Sequence, residues 1–225
     1  MRSGNDPALA AARARSFQPE LTPAAGSAPV TAPGTEAVTD DTELVILVDP
    51  GDREIGSARK LSVHRAGQLH RAFSVFVFDR RGQMLLQRRA QTKYHSGGLW
   101  SNACCGHPRP GEPTDAAARR RLREELGFEC DVRHVGSVYY KLPVTDELSE
   151  HEFDHLFVAE FDGVVDPNAA EVDAIRWLPG DALARDLEQH PERYTAWLRF
   201  IVDRLGDDVL AAPHAGDASG RDRHA

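Results

Sequence analysis

The sequence predicts an α/β (α+β) fold, a mixed β-sheet sandwiched between helices, and three observations carry that expectation. Strand-like segments outnumber helical ones, and the two do not alternate in the regular order that a doubly wound parallel sheet requires. One segment, residues 114–126, has both a helix start signal and a stop signal. A chain of 225 residues that is 41% hydrophobic is also long and apolar enough for one ordinary core.

In chain order, residues 43–48 (ELVILV) read as a strand. Residues 73–78 and 84–87 flank Asp79-Arg80-Arg81-Gly82 and read as a hairpin. Thr114 and Asp115, following Pro113, are placed to cap a helix that runs through an Ala- and Arg-rich stretch to Leu126 and stops at Gly127. Residues 132–141, 152–161 and 174–178 supply further strands. Residues 179–190 and 191–205 have the amphipathic spacing of helices. Residues 1–41 are rich in Ala, Pro, Gly, Ser and Thr without a period that buries a face, and residues 207–225 end in AAPHAGDASGRDRHA. Both are expected to be disordered, leaving 42–206 as the folded domain.

The formal net charge of −8 speaks against nucleic-acid or anionic-membrane partners, which need a basic excess. No apolar run reaches bilayer length and the first ten residues carry no hydrophobic signal core. Three cysteines, two of them adjacent at Cys104 and Cys105, make a poor disulfide framework and fit a reducing compartment. A cytoplasmic monomer acting on a small molecule is the expectation.

Gly106-x5-Glu112-x7-Arg120-Arg121-Leu122-x-Glu124-Glu125-x-Gly127-Phe128 resembles the Nudix box, G-x5-E-x7-R-E-U-x-E-E-x-G-U. It departs at Phe128 and, with more consequence, at Arg121, where the box has glutamate. Arg121 and Glu125 are four apart on a helix and share a face, so a guanidinium stands beside a carboxylate. Where a hydrolase gathers carboxylates to hold water-activating ions, a cation there weakens hydrolysis and offers a phosphate clamp. A plain surface ion pair is the bland reading of the same spacing.

Two further strings, Trp100-Ser-Asn-Ala-Cys104-Cys105-Gly106-His107-Pro108 and Glu150-His151-Glu152-Phe153-Asp154-His155, together with the modified box resemble the signature segments of type I isopentenyl-diphosphate isomerases. The resemblance spans about residues 42–205. It implies a divalent ion, Mn²⁺ or alternatively Mg²⁺ or Zn²⁺, held by His64, His70, His107, Glu150 and Glu152. Glu150 and Glu152 point to one face of a strand, and imidazole with carboxylate suits such borderline ions. It implies a second ion, Mg²⁺, joining Glu125 to the substrate diphosphate, with Lys60, Arg89, Lys93 and Arg121 as basic ligands of that group. Each lone histidine or lysine is more often a solvated side chain than a ligand, and His151 and His155 are not expected to ligate.

The implied reaction interconverts isopentenyl and dimethylallyl diphosphate, which needs a proton added to one carbon and another removed from a neighbour. Cys105 and Glu152 match the family's two protic groups, in an order the sequence leaves open. Cys104, on the opposite side of an extended segment, is expected to point away. Tyr140 matches an acidic hydroxyl beside the glutamate, with Tyr139 as the competitor because a one-residue slip exchanges strand faces. Trp197 matches the aromatic that faces the intermediate carbocation, a contact worth roughly 0.5–2 kcal/mol. Trp100 and Trp177 are expected to pack. Because the allylic product ionises readily, a closed apolar cavity is anticipated. A Nudix hydrolase and an inactive Nudix binding module are the rival readings.

Overall fold

The computed structural model describes residues 42–206, so the expectations of disorder for 1–41 and 207–225 lie outside the described residues. Strand β1 (Leu44–Val48) pairs antiparallel with β2 (Glu54–Arg59), which leads directly into a short helix α1 (Lys60–Ala66). Neither β2 nor α1 was foreseen. The β2 sequence, EIGSAR, is polar and half exposed, and α1 is a seven-residue helix whose main sign is Gly67 in the left-handed region at φ 58°.

The centre of the sheet is β3 (His70–Phe78), which reads HRAFSVFVF as a nearly continuous apolar run because both of its faces are covered. Phe73, Val75 and Val77 join a core with helix α2 (Thr114–Leu126). Phe76 and Phe78 join a second core on the opposite face, closed by α3 (Gly180–Gln189) and α4 (Ala196–Leu205). This is the sandwiched mixed sheet that the segment order implied.

The expected hairpin is real but splayed. Strand β4 (Gln83–Arg89) meets β3 only at Phe78↔Met84. The gap is filled by the Trp100–Gly106 segment, in which β5 (Trp100–Asn102) pairs with β4 and β6 (Cys104–Gly106) crosses over to pair with β3. Asn102 ties the fork together, its Nδ2 donating to Val75 O at 3.1 Å and Cys104 O at 2.8 Å. Beyond α2, β7 (Arg133–Pro143) and β8 (Ser149–Glu160) form a long antiparallel pair, and β9 (Val172–Pro179) adds to the free edge of β4. Strand β8 lies parallel to β3 over its full length, setting His70 opposite Glu152.

Two local expectations need correction. The residue before α2 is Pro113, in extended conformation, and neither Thr114 nor Asp115 makes a side-chain capping bond. The proline's fixed φ sets the entry into the helix instead, and Gly127 ends it at φ 74° as expected. Residues 191–205 are not one helix. A 3₁₀ turn (Pro191–Arg193) precedes α4, and the break lies where Tyr194 sinks into the core, its hydroxyl on Asp186 at 2.5 Å, while Thr195 N donates to Trp100 O at 3.0 Å.

Helix α2 is held by its apolar stripe, with Ala117, Ala118, Leu122 and Leu126 fully buried against the sheet. Leu122→Ala is therefore expected to lower the unfolding free energy by about 2–5 kcal/mol, as read from urea denaturation. A loss of a few tenths would mean that this stripe does not carry the α2 packing.

Candidate metal centre and active-site cavity

Strand β8 presents Glu150, Glu152 and Asp154 on one buried face, the alternation a strand imposes. Three histidines converge on the first two. His70 sits beside Glu152 by the β3–β8 register, His107 follows β6, and His64 comes from α1. One ligand atom from each of His64, His70, His107, Glu150 and Glu152 lies within 4.8 Å of all the others, and all five residues are buried. His107 Nε2 is 3.0 Å from Glu152 Oε1, and His64 Nε2 is 2.9 Å from Glu150 Oε2.

The donor chemistry fits a divalent cation. His64 donates its Nδ1 proton to Lys60 O at 2.7 Å and His70 donates its own to Gln68 O at 2.9 Å. Backbone carbonyls can only accept, so in the neutral form both imidazoles present Nε2 inward as a lone pair, the arrangement metal-binding histidines adopt, while in the metal-free site, against the effect of burial, the Glu150 carboxylate raises His64 above its ordinary value. His70 Nε2 faces His107 Nε2 at 3.2 Å. His64 Nε2 and Glu150 Oε2, though close, have no hydrogen-bonding geometry to any described group. Burial drives His107 down to about 4, leaving it a neutral imidazole. Burial also opposes ionisation of Glu150 and Glu152, yet their neighbouring imidazoles hold both carboxyls below the usual range.

Behind Glu152 lies a hydrogen-bonded relay. Tyr140, opposite Glu152 in the β7–β8 register, donates to Glu152 Oε2 at 2.5 Å, and Ser74 donates to Asp154 Oδ2 at 2.8 Å. Burial, then the adjacent carboxyls, push the Tyr140 hydroxyl well above its ordinary value, so it holds its proton and donates it to Glu152. Asp154 is likewise raised, by burial and by the Glu152 charge. Tyr139 points outward, half exposed, and meets His151 Nε2 at 2.7 Å, while His151 Nδ1 donates to Gly67 O. The strand alternation thus separates Tyr140 from Tyr139, and Glu152 from His151.

A cavity of about 460 Å³ opens in front of this cluster. Cys105, His107, Glu150, Glu152 and Trp197 line it, and Lys60, Arg89, Lys93, Arg121 and Glu125 complete the sequence-derived set on its walls. His64, His70 and Tyr140 lie behind the wall. Cys104 turns into the α2 core, whereas Cys105 packs toward the opposite one, as an extended segment requires. The Cys105 Sγ is 3.6 Å from Asn102 Oδ1 and 3.7 Å from Ser101 Oγ, and burial pushes its thiol up to about 12, so it carries its proton. Trp197 is anchored by Nε1 donating to Ser101 Oγ at 3.0 Å. Trp100 and Trp177 pack against the two cores.

The cavity is polar, not the closed apolar chamber anticipated, because the side chains lining it are mostly charged. Its cations are matched by acids, two of which, Glu43 and Glu171, no sequence spacing singles out. Lys60 pairs with Glu43 at 2.9 Å and Lys93 pairs with Glu171. Arg121 reaches Glu125 at 2.5 Å, Glu124 at 2.8 Å and Glu171 at 3.2 Å. Glu125 is thereby held between Arg121 and Gln87 Nε2, the latter at 2.8 Å, apart from the five-residue cluster. Arg89 lies over the Trp197 ring, 5.3 Å from its centroid. A fourth histidine near the cluster, His95, places Nε2 3.0 Å from Glu150 Oε1 and was also missed, since it sits in a loop with no spacing signal.

This fold and box define a class. A NUDIX domain model matches residues 68–198, and the crystal structure of DR0079 from Deinococcus radiodurans superposes with a TM-score of 0.61 at 22% identity, covering 72% of this chain and 98% of that one. Within that class the chain is 51% identical to the isopentenyl-diphosphate Delta-isomerase of Burkholderia multivorans over 75% of its length and 96% of the relative's. It is 49% identical to the Serratia proteamaculans protein of that name, over 75% and 94%, and 44% identical to that of Streptomyces avermitilis, over 79% and 92%. The chain belongs to the isopentenyl-diphosphate Delta-isomerase family.

The Lys60–Glu43 pair generates a pH prediction. Burial would raise Glu43, but the Lys60 charge and hydrogen bond, with help from His107 and Arg121, bring it from 4.5 down to about 2. A folded pKa below the unfolded one means stabilisation that is full above about pH 4.5 and lost as pH falls toward 2. Metal-free Glu43→Gln protein should be less stable than wild type by on the order of 2–3 kcal/mol at pH 7, with the gap closing between pH 4.5 and 2 in denaturant titrations. A gap independent of pH would rule out the ion pair as its cause.

Proposed function

We propose that this chain interconverts isopentenyl diphosphate and dimethylallyl diphosphate through a tertiary carbocation, with Cys105 and Glu152 as the two proton-handling groups. The observation that carries the reading is that both line one cavity, Glu152 backed by the His/Glu cluster and Cys105 set beside Trp197 and Arg89. The family membership, extending over nine-tenths or more of the relatives' length, supports it.

The alkene of the substrate gains a proton at its terminal carbon and loses one from the neighbouring methylene, so one group delivers and the other collects. The two exchange roles when the reaction runs backwards. Cys105 enters as a thiol, and Glu152 as a carboxylate fixed by the Tyr140 hydroxyl on one oxygen and His107 on the other. Trp197, clamped through its indole nitrogen, offers an aromatic face that attracts the cation without a nucleophile to trap it. Arg89, Lys60, Lys93 and Arg121 receive the diphosphate, the last three exchanging carboxylate partners for phosphate oxygens.

His64, His70, His107, Glu150 and Glu152 would hold the resident divalent ion, Mn²⁺ or alternatively Mg²⁺ or Zn²⁺, which favours the ionised form of its carboxylate ligands. Glu125 would join a Mg²⁺ that arrives with the diphosphate, the usual habit of that ion. Arg121 opposes the hydrolase reading, because it occupies the carboxylates with which a Nudix box gathers ions. The free thiols Cys104, Cys105 and Cys130 support a cytoplasmic setting, and we take the working unit to be a monomer. Among the described residues no helix is long and apolar enough to cross a membrane.

Incubating the purified chain with isopentenyl diphosphate, Mg²⁺ and Mn²⁺ should yield dimethylallyl diphosphate without released phosphate. Cys105→Ala and Glu152→Gln should each cut turnover by at least about a hundredfold with an unchanged circular-dichroism spectrum. Near-wild-type turnover in either variant removes the role given to that residue. Metal dependence has its own readout. Mn²⁺ returned to stripped protein at a hundred times its Kd should add about 2.7 kcal/mol of stability, raising Tm by about 5–10 °C for a domain of this size. His70→Ala should show no such shift, and an equal shift in that variant would exclude the cluster as the binding site.

A further inference from the structure

On the face of β8 opposite the three carboxylates, a separate group of side chains converges that the isomerase chemistry does not use. Ser137 lies opposite His155 in the β7–β8 register. Residues 134 and 137, three apart on a regular strand, would face opposite sides. A bulge between His134 and Gly136 puts one extra residue into β7 and turns His134 onto the same face as Ser137, the way bulges re-aim side chains.

The three donor atoms form an equilateral triangle. His134 Nε2 to His155 Nδ1, Ser137 Oγ to His134 Nε2 and Ser137 Oγ to His155 Nδ1 are each 3.4 Å. With Zn–N bonds of about 2.0–2.1 Å, two corners of a tetrahedron lie about 3.3–3.4 Å apart, so the triangle matches one face of a tetrahedral site.

Proton accounting points the same way. The Asp52 carboxylate lies 2.9 Å from His155 Nε2 and can only accept, so Nε2 carries the proton and Nδ1 faces the triangle as a bare lone pair. This carboxylate–imidazole pairing is the outer support that metal-ligating histidines commonly have. Asp52 is itself fixed, its Oδ1 receiving Arg71 Nε at 2.7 Å and its carbonyl receiving Arg71 Nη2 at 2.6 Å. Ser137 has one proton and cannot serve both nitrogens at once, whereas a cation at the centre serves all three.

We propose that His134, His155 and Ser137 form a second, solvent-facing site for a borderline divalent transition-metal ion, with Asp52 orienting His155 and water completing the coordination. Imidazole donors favour Zn²⁺, Ni²⁺ or Cu²⁺ over the hard ions that accompany a diphosphate.

Zn²⁺ titrated calorimetrically into the stripped full-length protein should reveal two classes of site. His70→Ala should remove the class belonging to the buried cluster and keep the other. His134 is exposed, so His134→Ala leaves the cores intact, and it should remove the second class while isomerase turnover is unchanged. Asp52 stands at φ 60°, a conformation asparagine tolerates, so Asp52→Asn should keep the site but weaken it by about tenfold or more. A single class in wild type, or two classes persisting in His134→Ala, overturns the proposal.

Discussion

The site depends on the parallel pairing of β3 with β8. That register sets His70 beside Glu152, and the alternation of β8 then brings Glu150 and Asp154 onto the same buried face. Three carboxyl groups on one face of one strand, away from water, cannot all ionise without compensation. The structure divides the problem. Burial and the Glu152 charge raise Asp154, which receives Ser74 and stands 3.2 Å from the Tyr140 hydroxyl, while Glu150 and Glu152 are held ionised among the imidazoles of His64, His70, His95 and His107. Such a cluster could hold a metal ion.

The same economy of charge governs the cavity mouth. Lysines and arginines that would receive a diphosphate are held by Glu43, Glu124, Glu125 and Glu171. These pairs keep the basic side chains extended across the wall and lower the cost of a charged cavity without ligand. Under the proposed function, substrate binding becomes an exchange of anions at prepositioned cations. Arg89 lies over the Trp197 ring with no ion pair to an acid among the described residues, so it reaches from the basic wall of the cavity to its aromatic side.

Splaying β3 from β4 is what delivers Cys105. A continuous hairpin would have closed this gap with backbone hydrogen bonds, but here the Trp100–Gly106 segment zips first to β4 and then to β3, with Asn102 as the pivot. Its alternation drops Cys104 into the α2 core and turns Cys105 to the cavity. The Ser101 hydroxyl, two steps before Ala103, meets Cys105, Thr195 and Trp197 together, which couples helix α4 to the thiol.

By itself the sequence determined whatever depends on near neighbours in the chain. Helix α2 with its Gly127 stop, the shared face of Glu150 and Glu152, the opposite directions of Cys104 and Cys105, and the Arg121–Glu125 contact all follow from helical and strand periods. The motif strings carried Cys105, His107, Arg121, Glu125, Glu150 and Glu152 as candidates, because each string is a local piece of backbone with its chemistry attached, whereas His64, His70, Tyr140, Trp197 and the remaining basic residues came from the family resemblance. The tertiary structure alone decided which acids meet which cations, that His95 joins Glu150, that the cavity is polar, that β2 and α1 exist, and that Tyr194 breaks the last helix. Most of these rest on contacts outside one helix turn or strand, many through a single side chain, and no period or spacing records a contact of that kind.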